Sequence, residues 1–139
     1  MDREVAYGLQ SPGRAVSRGD IFWVAADQNR GSLPGSPHPH VVVQEDVFNR
    51  SRIGTVIVCA LSTNLCKASE PGNVLLAPGE GGLERQSIVV ASQISSIYKT
   101  RLGAYIGSLS PERVDQVIAG LRFVQRAFQR DGRSPGAVD

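Results

Sequence analysis

The sequence predicts a mainly β protein, a small barrel, with one α-helix at its C-terminal end. Short runs rich in β-branched and aromatic residues, separated by Gly, Pro and Ser, recur from Ile21 to about Ile106. After Ser110 the apolar residues recur instead at helical spacing. The 139 residues suffice for one compact domain. We place it at 18–129, between a flexible lead-in at 1–17 and a flexible tail at 130–139.

The strands follow from the apolar runs in chain order. The predicted strands are Ile21–Val24, Val41–Val43, Thr55–Leu61, Asn73–Ala77, Ser87–Ser92, Gln93–Tyr98 and Leu102–Ile106. The second and third runs are continuously apolar, which is typical of strands covered on both faces. A loop rich in Gly, Pro and Ser, from about Asp27 to Pro39, separates the first two strands, and loops of this length are often functional. Asp46 to Gly54 is predicted as a polar turn region.

The helix has a clear start and one apolar face. Ser110 is a capping residue, Pro111 suits the first helical position, and Glu112 places an acid in the first turn. The apolar face comprises Val114, Val117, Ile118, Leu121, Val124 and Phe128. This face predicts that the helix packs on the barrel.

Composition and charge limit the protein class without choosing a partner. The net charge of +2 permits nucleic-acid binding but does not require it. Cys59 and Cys66 stand seven positions apart with no cluster of metal ligands around them, so neither a metal site nor a cofactor is expected. No apolar run reaches the roughly 18 residues of a membrane span, and the N-terminus lacks a signal-peptide core. We expect a soluble protein of the cytoplasm with reduced thiols.

Six short motifs, in order, resemble the MazF/PemK family of toxin endoribonucleases. They are Arg18-Gly-Asp-Ile-Phe-Trp23, Gly31-Ser32, Pro39 with the Val run that ends at Gln44, Ile57–Ser62, Gly82–Val89 and Ser92–Ile97. The resemblance covers about Ser17 to Phe128. It implies a homodimeric SH3-like barrel that cuts single-stranded RNA at short sequences without a metal. It also implies a cognate antitoxin that keeps the enzyme silent.

The resemblance assigns the chemistry to His38 and Ser62, which stand where the family usually has arginine and threonine. The implied reaction is attack of a 2′-hydroxyl on the adjacent phosphorus, and it needs a base, an acid and donors to the phosphate. Histidine transfers protons near neutral pH but lacks arginine's permanent charge. His40 lies two residues further on an extended segment, so both imidazoles point to the same side and can divide the acid and base roles. Ser62 keeps a hydroxyl donor.

Weaker candidates for RNA contact surround these three residues. Arg30, Gly31 and Ser32 lie in the long first loop, where relatives meet RNA. The other candidates are Asn64, Lys67 and Gln93. The last of these matches a glutamine beside the site in relatives.

Two other classes of protein stay open. A gyrase poison of the CcdB type shares the barrel but acts through an aromatic-containing C-terminal tail, and here no aromatic residue follows Phe128. A catalytically weak SH3-like module that binds RNA or a peptide needs no pair of titratable groups such as His38 and His40. As partner we expect an antitoxin whose acidic, disordered tail enters the same groove as RNA.

Overall fold

The computed structural model of the chain describes residues 15–25 and 36–137, with side chains up to residue 126. Within these ranges the structure is an antiparallel sheet with one long helix, which confirms the predicted fold class. The strands are β1 (Asp20–Val24), β2 (His38–Val42), β3 (Thr55–Ser62), β4 (Val74–Leu76), β5 (Ser87–Tyr98) and β6 (Leu102–Ser108). A one-turn helix, α1 (Asp46–Asn49), precedes β3, and α2 (Pro111–Ala137) ends the fold.

The sheet has the order β4-β5-β3-β2-β1-β6 and is not closed by hydrogen bonds between β4 and β6. Instead, the turn at Glu80–Gly82 that follows β4 packs against β6. The approach is so close that a Cβ at Gly107 would overlap the carbonyl oxygen of Gly81. The curved sheet is therefore barrel-like, with backbone packing where a closed barrel would have a ladder.

Apolar side chains cover both faces of the sheet, as the continuous apolar runs predict. On one face, α2 packs on the helix-side cluster, which includes Ile21, Val41, Cys59, Leu76 and Val89. The opposite cluster contains Val16, Phe22, Val24, Val42, Val56, Val58, Ile97 and Leu102. Neighbouring residues alternate between the two clusters because successive side chains of a strand point to opposite faces. The strands therefore have two buried surfaces, and none of the α2 side chains that the structure describes, up to residue 126, belongs to the opposite cluster.

Several boundaries differ from the prediction. β2 begins at His38, within the predicted loop, and at Pro39 the strand pairs with Trp23 of β1 while pairing with β3 starts only at the next residue. A proline fits there because its missing N–H falls where one neighbour is absent. The predicted turn at 46–54 contains α1, and β5 unites the two strands predicted at 87–98. α2 continues to Ala137, through most of the predicted tail, and Val16 of the predicted lead-in is buried.

A wide bulge divides β5 into two halves. Cys59 pairs with Ile94 and Leu61 pairs with Val89, so residues 90–93 of β5 stand opposite Ala60 alone. Before the bulge, residues 87–91 are buried, whereas residues 92–96 after it are exposed. Such a bulge bends a strand and redirects its side chains. One strand thus supplies core on one side of the bulge and surface on the other.

The helix begins as predicted and is held close to the sheet. The Ser110 hydroxyl accepts a hydrogen bond from the Arg113 amide at 3.2 Å, which is the expected cap. The Arg113 guanidinium donates to both carboxylate oxygens of Glu80, at 2.9 and 2.8 Å. Further along, Gly120 lies against the backbone of Gly72, and a Cβ at Gly120 would overlap the Gly72 carbonyl oxygen. α2 can therefore approach the β4 end of the sheet only because residue 120 has no side chain.

Gly120→Ala tests this close approach, because helix propensity and packing predict opposite signs. Alanine is favoured over glycine in a helix by about 1 kcal/mol, whereas overpacking against rigid backbone costs about 1–3 kcal/mol or more. We expect the packing cost to exceed the gain in helix propensity, so the free energy of unfolding should fall by about 1–2 kcal/mol net in urea titrations. Gln125→Ala, at an exposed position of the same helix, is the matched control and should leave it almost unchanged. A more stable Gly120→Ala protein would contradict the packing described.

Candidate active site

A groove of about 950 Å³ lies where β1 and β3 end and β2 begins, and it runs along the second half of β5. The predicted site residues that the structure brings together there are His38, His40, Ser62, Asn64, Lys67 and Gln93. Arg30, Gly31 and Ser32 lie outside the described residues, so their predicted RNA contacts stay predictions. The family resemblance grouped His38 and Ser62 as catalytic candidates, and the fold places both in one groove with residues from β5.

The alternation of side chains along the strands explains why the groove lies on the face of the sheet opposite the helix-side cluster. On β2, His38 and His40 share a face with Val42, which belongs to the opposite cluster. Val24 and Ile97 belong to that cluster and also line the groove. The groove is thus the polar continuation of the opposite cluster, with its floor fixed by buried apolar residues.

His40 is held in one orientation and in one tautomer. Its Nδ1 lies 3.0 Å from the backbone carbonyl oxygen of His38, and a carbonyl can only accept, so Nδ1 carries a hydrogen and donates it. Nε2 is then the basic nitrogen. Burial lowers the pKa of His40 below 6.5, against the raising effect of this hydrogen bond, and the positive charges of His38 and Arg101 lower it further. His40 is therefore neutral at physiological pH and able to accept a proton at Nε2.

Ser62 and Asn64 are held by a tight turn at the end of β3. The Ser62 Oγ accepts the Asn64 amide at 3.0 Å, and the Asn64 Oδ1 accepts the Cys66 amide at 3.1 Å. These are the local side-chain-to-backbone bonds that Ser and Asn form at turns, and they begin the 3₁₀ turn Leu65–Ser69. Because Ser62 uses Oγ as an acceptor here, its hydroxyl hydrogen is available for a phosphate oxygen.

The groove is basic along the part of its wall that the structure describes. Its ionisable side chains are His38, His40, Lys67 and Arg101, and no carboxylate of the described residues lines it. The Lys67 ammonium lies 3.8 Å from a Glu70 carboxylate oxygen outside the groove. A concave surface with charge of one sign attracts the opposite charge, here an extended polyanion.

Arg101 is the charged groove residue that was not predicted from the sequence. It ends the 3₁₀ turn Lys99–Arg101 between β5 and β6, and its Nη2 donates to the Ala25 carbonyl oxygen at 2.8 Å. The contact joins residues 76 positions apart, so no local motif indicates it. The only signal in the sequence is a basic residue shortly after the strand that supplies Gln93. Hydroxyls of Thr63, Ser92, Ser95 and Ser96 also line the groove and were not predicted.

The fold and groove define a class of small β proteins with one C-terminal helix and a basic cleft. A solved structure of this class is a mycobacterial endoribonuclease in complex with its cognate antitoxin, with a TM-score of 0.62 and 23% identity. The alignment covers 77% of this chain and 91% of that chain. At this level of identity the likeness shows the fold.

The chain belongs to the PemK-like, MazF-like toxins of type II toxin-antitoxin systems, a family whose pattern matches residues 17–124. It is 35% identical to Endoribonuclease MazF6 of Mycobacterium tuberculosis over 109 residues, which are 78% of this chain and 96% of that protein. It is also 35% identical over 108 residues to Endoribonuclease EndoA of Bacillus subtilis, covering 78% and 92% of the two chains. The MazF/PemK prediction is confirmed. Among the residues that the structure describes, no helix has the length and apolar character needed to cross a membrane.

Proposed function

We propose that this protein cleaves single-stranded RNA at specific sequences, by attack of a 2′-hydroxyl, with His38, His40 and Ser62 at the reacting groups. The endoribonuclease class rests on the family and on the curated relatives of the same class. The observation that supports the chemistry is the neutral His40, whose Nδ1–H is engaged by the His38 carbonyl so that Nε2 is the base. A base of this kind, within a basic groove, suits a reaction that begins by deprotonating a hydroxyl beside a phosphate.

The reaction balances with the groups present. Nε2 of His40 takes the proton of the 2′-hydroxyl as the 2′-oxygen bonds to phosphorus. The bond from phosphorus to the 5′-oxygen breaks, and the imidazolium of His38 protonates that oxygen. The Ser62 hydroxyl donates to a phosphate oxygen as negative charge grows there. The products are a 2′,3′-cyclic phosphate and a 5′-hydroxyl.

RNA binding is assigned to the remaining groove residues and to the first loop. Lys67 offers a charge to the RNA backbone, and the Asn64 and Gln93 amides offer hydrogen bonds to base edges. Arg30, Gly31 and Ser32 are proposed to contact the same strand of RNA. The choice of target sequence would then depend on which bases fit between β5 and the first loop.

The pH dependence follows from the sign of the His40 shift. A base acts only when neutral, so kcat/KM should rise with pH as His40 loses its proton, and burial places that rise below pH 6.5. The charged groups that act on His40 are His38 on its own strand and Arg101 from the turn before β6. Lys67, from the turn after β3, lines the same groove. Initial rates on a short cleavable RNA across the pH range measure this acid limb, and an acid limb centred above pH 6.5 would contradict the base assignment.

Incubation of the purified protein with long single-stranded RNA, in the presence of EDTA, tests the function itself. We expect discrete fragments whose 5′ ends accept a phosphate from polynucleotide kinase without prior dephosphorylation. Fragments with 5′-phosphate ends would exclude 2′-hydroxyl attack. RNA binding without fragments would favour the non-catalytic module, and trapped, cleaved DNA in a parallel gyrase assay would favour the CcdB-like alternative.

We also propose a homodimer and a cognate antitoxin as partners. The antitoxin proposal is supported by the basic groove, which suits an acidic peptide as well as RNA, and by the antitoxin complex of the mycobacterial endoribonuclease of the same fold. An acidic antitoxin tail should compete with RNA for the groove. Cleavage that continues at full rate with the tail bound would exclude the shared site.

A further inference from the structure

We infer that Arg101 binds the phosphate that is cleaved and provides the permanent positive charge on which the growing negative charge of the reaction depends. This inference rests on the proposed RNA cleavage and adds a residue to it. A reaction that places extra charge on a phosphate is accelerated most by donors that are fixed before the reaction begins. The geometry and surroundings of Arg101 meet that requirement.

Arg101 is fixed in place and has donors to spare. Its Nη2 donates to the carbonyl oxygen of Ala25, at the end of β1, and this bond ties the guanidinium to the rim of the groove. Within the described part of the chain, that bond uses one of the five N–H groups of the fork. A guanidinium held in this way can present a pair of donors to two phosphate oxygens.

The charge of Arg101 acts at the reacting groups. It contributes to lowering the pKa of His40, so the guanidinium and the imidazole are within electrostatic range of each other. Lys67 is the only other permanently charged side chain among the described residues of the groove, and it contributes no such effect on His40. Its ammonium is also partly engaged by Glu70 at 3.8 Å. Of the two cations, Arg101 is the one whose charge acts on the proposed base.

The proposed reacting groups, His38, His40 and Ser62, do not supply a permanent positive charge at the phosphate. His38 and His40 exchange protons in the proposed reaction, so neither can keep a fixed positive charge throughout it. Ser62 offers one neutral hydroxyl. Without a permanent cation, the phosphate would gain charge opposite only neutral or transiently protonated groups. Arg101 supplies what this set lacks.

Single-turnover cleavage by Arg101→Ala and Arg101→Lys tests the inference, with Arg122→Ala as the matched loss of one exposed arginine outside the groove. Arg101→Ala should cleave about 10²–10³-fold more slowly at saturating RNA, and Arg122→Ala at the wild-type rate. Arg101→Lys should recover part of the rate, because the charge remains and the fork is lost. Added guanidinium ion should accelerate Arg101→Ala alone. Circular dichroism and thermal unfolding verify that each variant is folded.

A pH profile provides a readout that a purely structural role would not move. Loss of the neighbouring charge raises the pKa of His40, so the acid limb should shift to higher pH in Arg101→Ala and stay in place in Arg122→Ala. An Arg101→Ala protein that cleaves within about threefold of wild type, or that only raises KM, overturns the inference while the proposed function stands. A wild-type protein that produces no fragments refutes the proposed function first.

Discussion

His40→Asn should reduce the rate of RNA cleavage by about 10²–10⁴-fold, the range that a positioned general base contributes. Asparagine has its amide nitrogen near the position of Nδ1, so the variant can keep the hydrogen bond to the His38 carbonyl oxygen. It has no atom in place of Nε2, where the proposed base accepts its proton. Cleavage should therefore be lost while the fold and the affinity for RNA are retained, measured by single-turnover kinetics and by binding to an RNA with a 2′-deoxy cleavage site.

His38→Ala distinguishes the roles of the two imidazoles. If His40 is the base and His38 the acid, His40→Asn removes the acid limb of the pH profile, whereas His38→Ala lowers the rate and retains that limb. The double variant should be little slower than the slower single variant, because residues that act as one unit are not additive. A His40→Asn protein that cleaves at the wild-type rate would exclude His40 as the base and return the chemistry to His38 and Ser62, the two positions that the family resemblance indicates.

Phe22→Ala should lower the free energy of unfolding by about 3–5 kcal/mol, a large part of the about 5–15 kcal/mol that stabilises a typical domain. Phe22 is fully buried in the opposite cluster and contacts the Tyr105 ring edge to face, with centroids 5.7 Å apart. It also pairs with His40 across the strands. Its removal leaves a cavity beneath the groove, so the strand segment that carries His40 should be held less rigidly as well.

Phe123→Ala is the matched control, since it removes the same side chain from an exposed position of α2. We expect a change within about 0.5 kcal/mol there, as for most surface substitutions. Urea unfolding followed by fluorescence or circular dichroism gives both values. Equal losses at positions 22 and 123 would mean that the opposite cluster is not a structural core.

The order and type of the elements could be predicted because they depend on local pattern. The helix start at Ser110–Pro111 and the alternating strands follow from side chains within a few residues of one another. The one-turn helix α1 could not be predicted in this way. It depends on Asp46, whose carboxylate accepts the backbone amide of Arg18 at 2.8 Å, 28 positions away. Short elements held by distant contacts leave little periodicity in the sequence.

The candidate site likewise has features that follow from local sequence pattern and features that depend on the fold. That His38 and His40 share a side follows from the two-residue repeat of a strand. The tautomer of His40 does not follow, because it is set by one contact between its side chain and the His38 carbonyl oxygen. Arg101 could not be placed without the fold, since it reaches the groove from the far end of β5 through its bond to Ala25.

Because of its bulge, β5 should tolerate substitutions at residues 90–93 better than the loss of a residue there. Removing one residue from 90–93, with a one-residue slip of the second half of β5 against β3, would reverse the side to which every later side chain of β5 points. Ile97 would leave the opposite cluster, and Tyr98 would take its place. Substitutions at these positions change one contact each, whereas a deletion exchanges the inside and the outside of the wall. The number of residues in the bulge therefore determines which side chains of β5 face the groove and which face the core. The identity of those residues matters less.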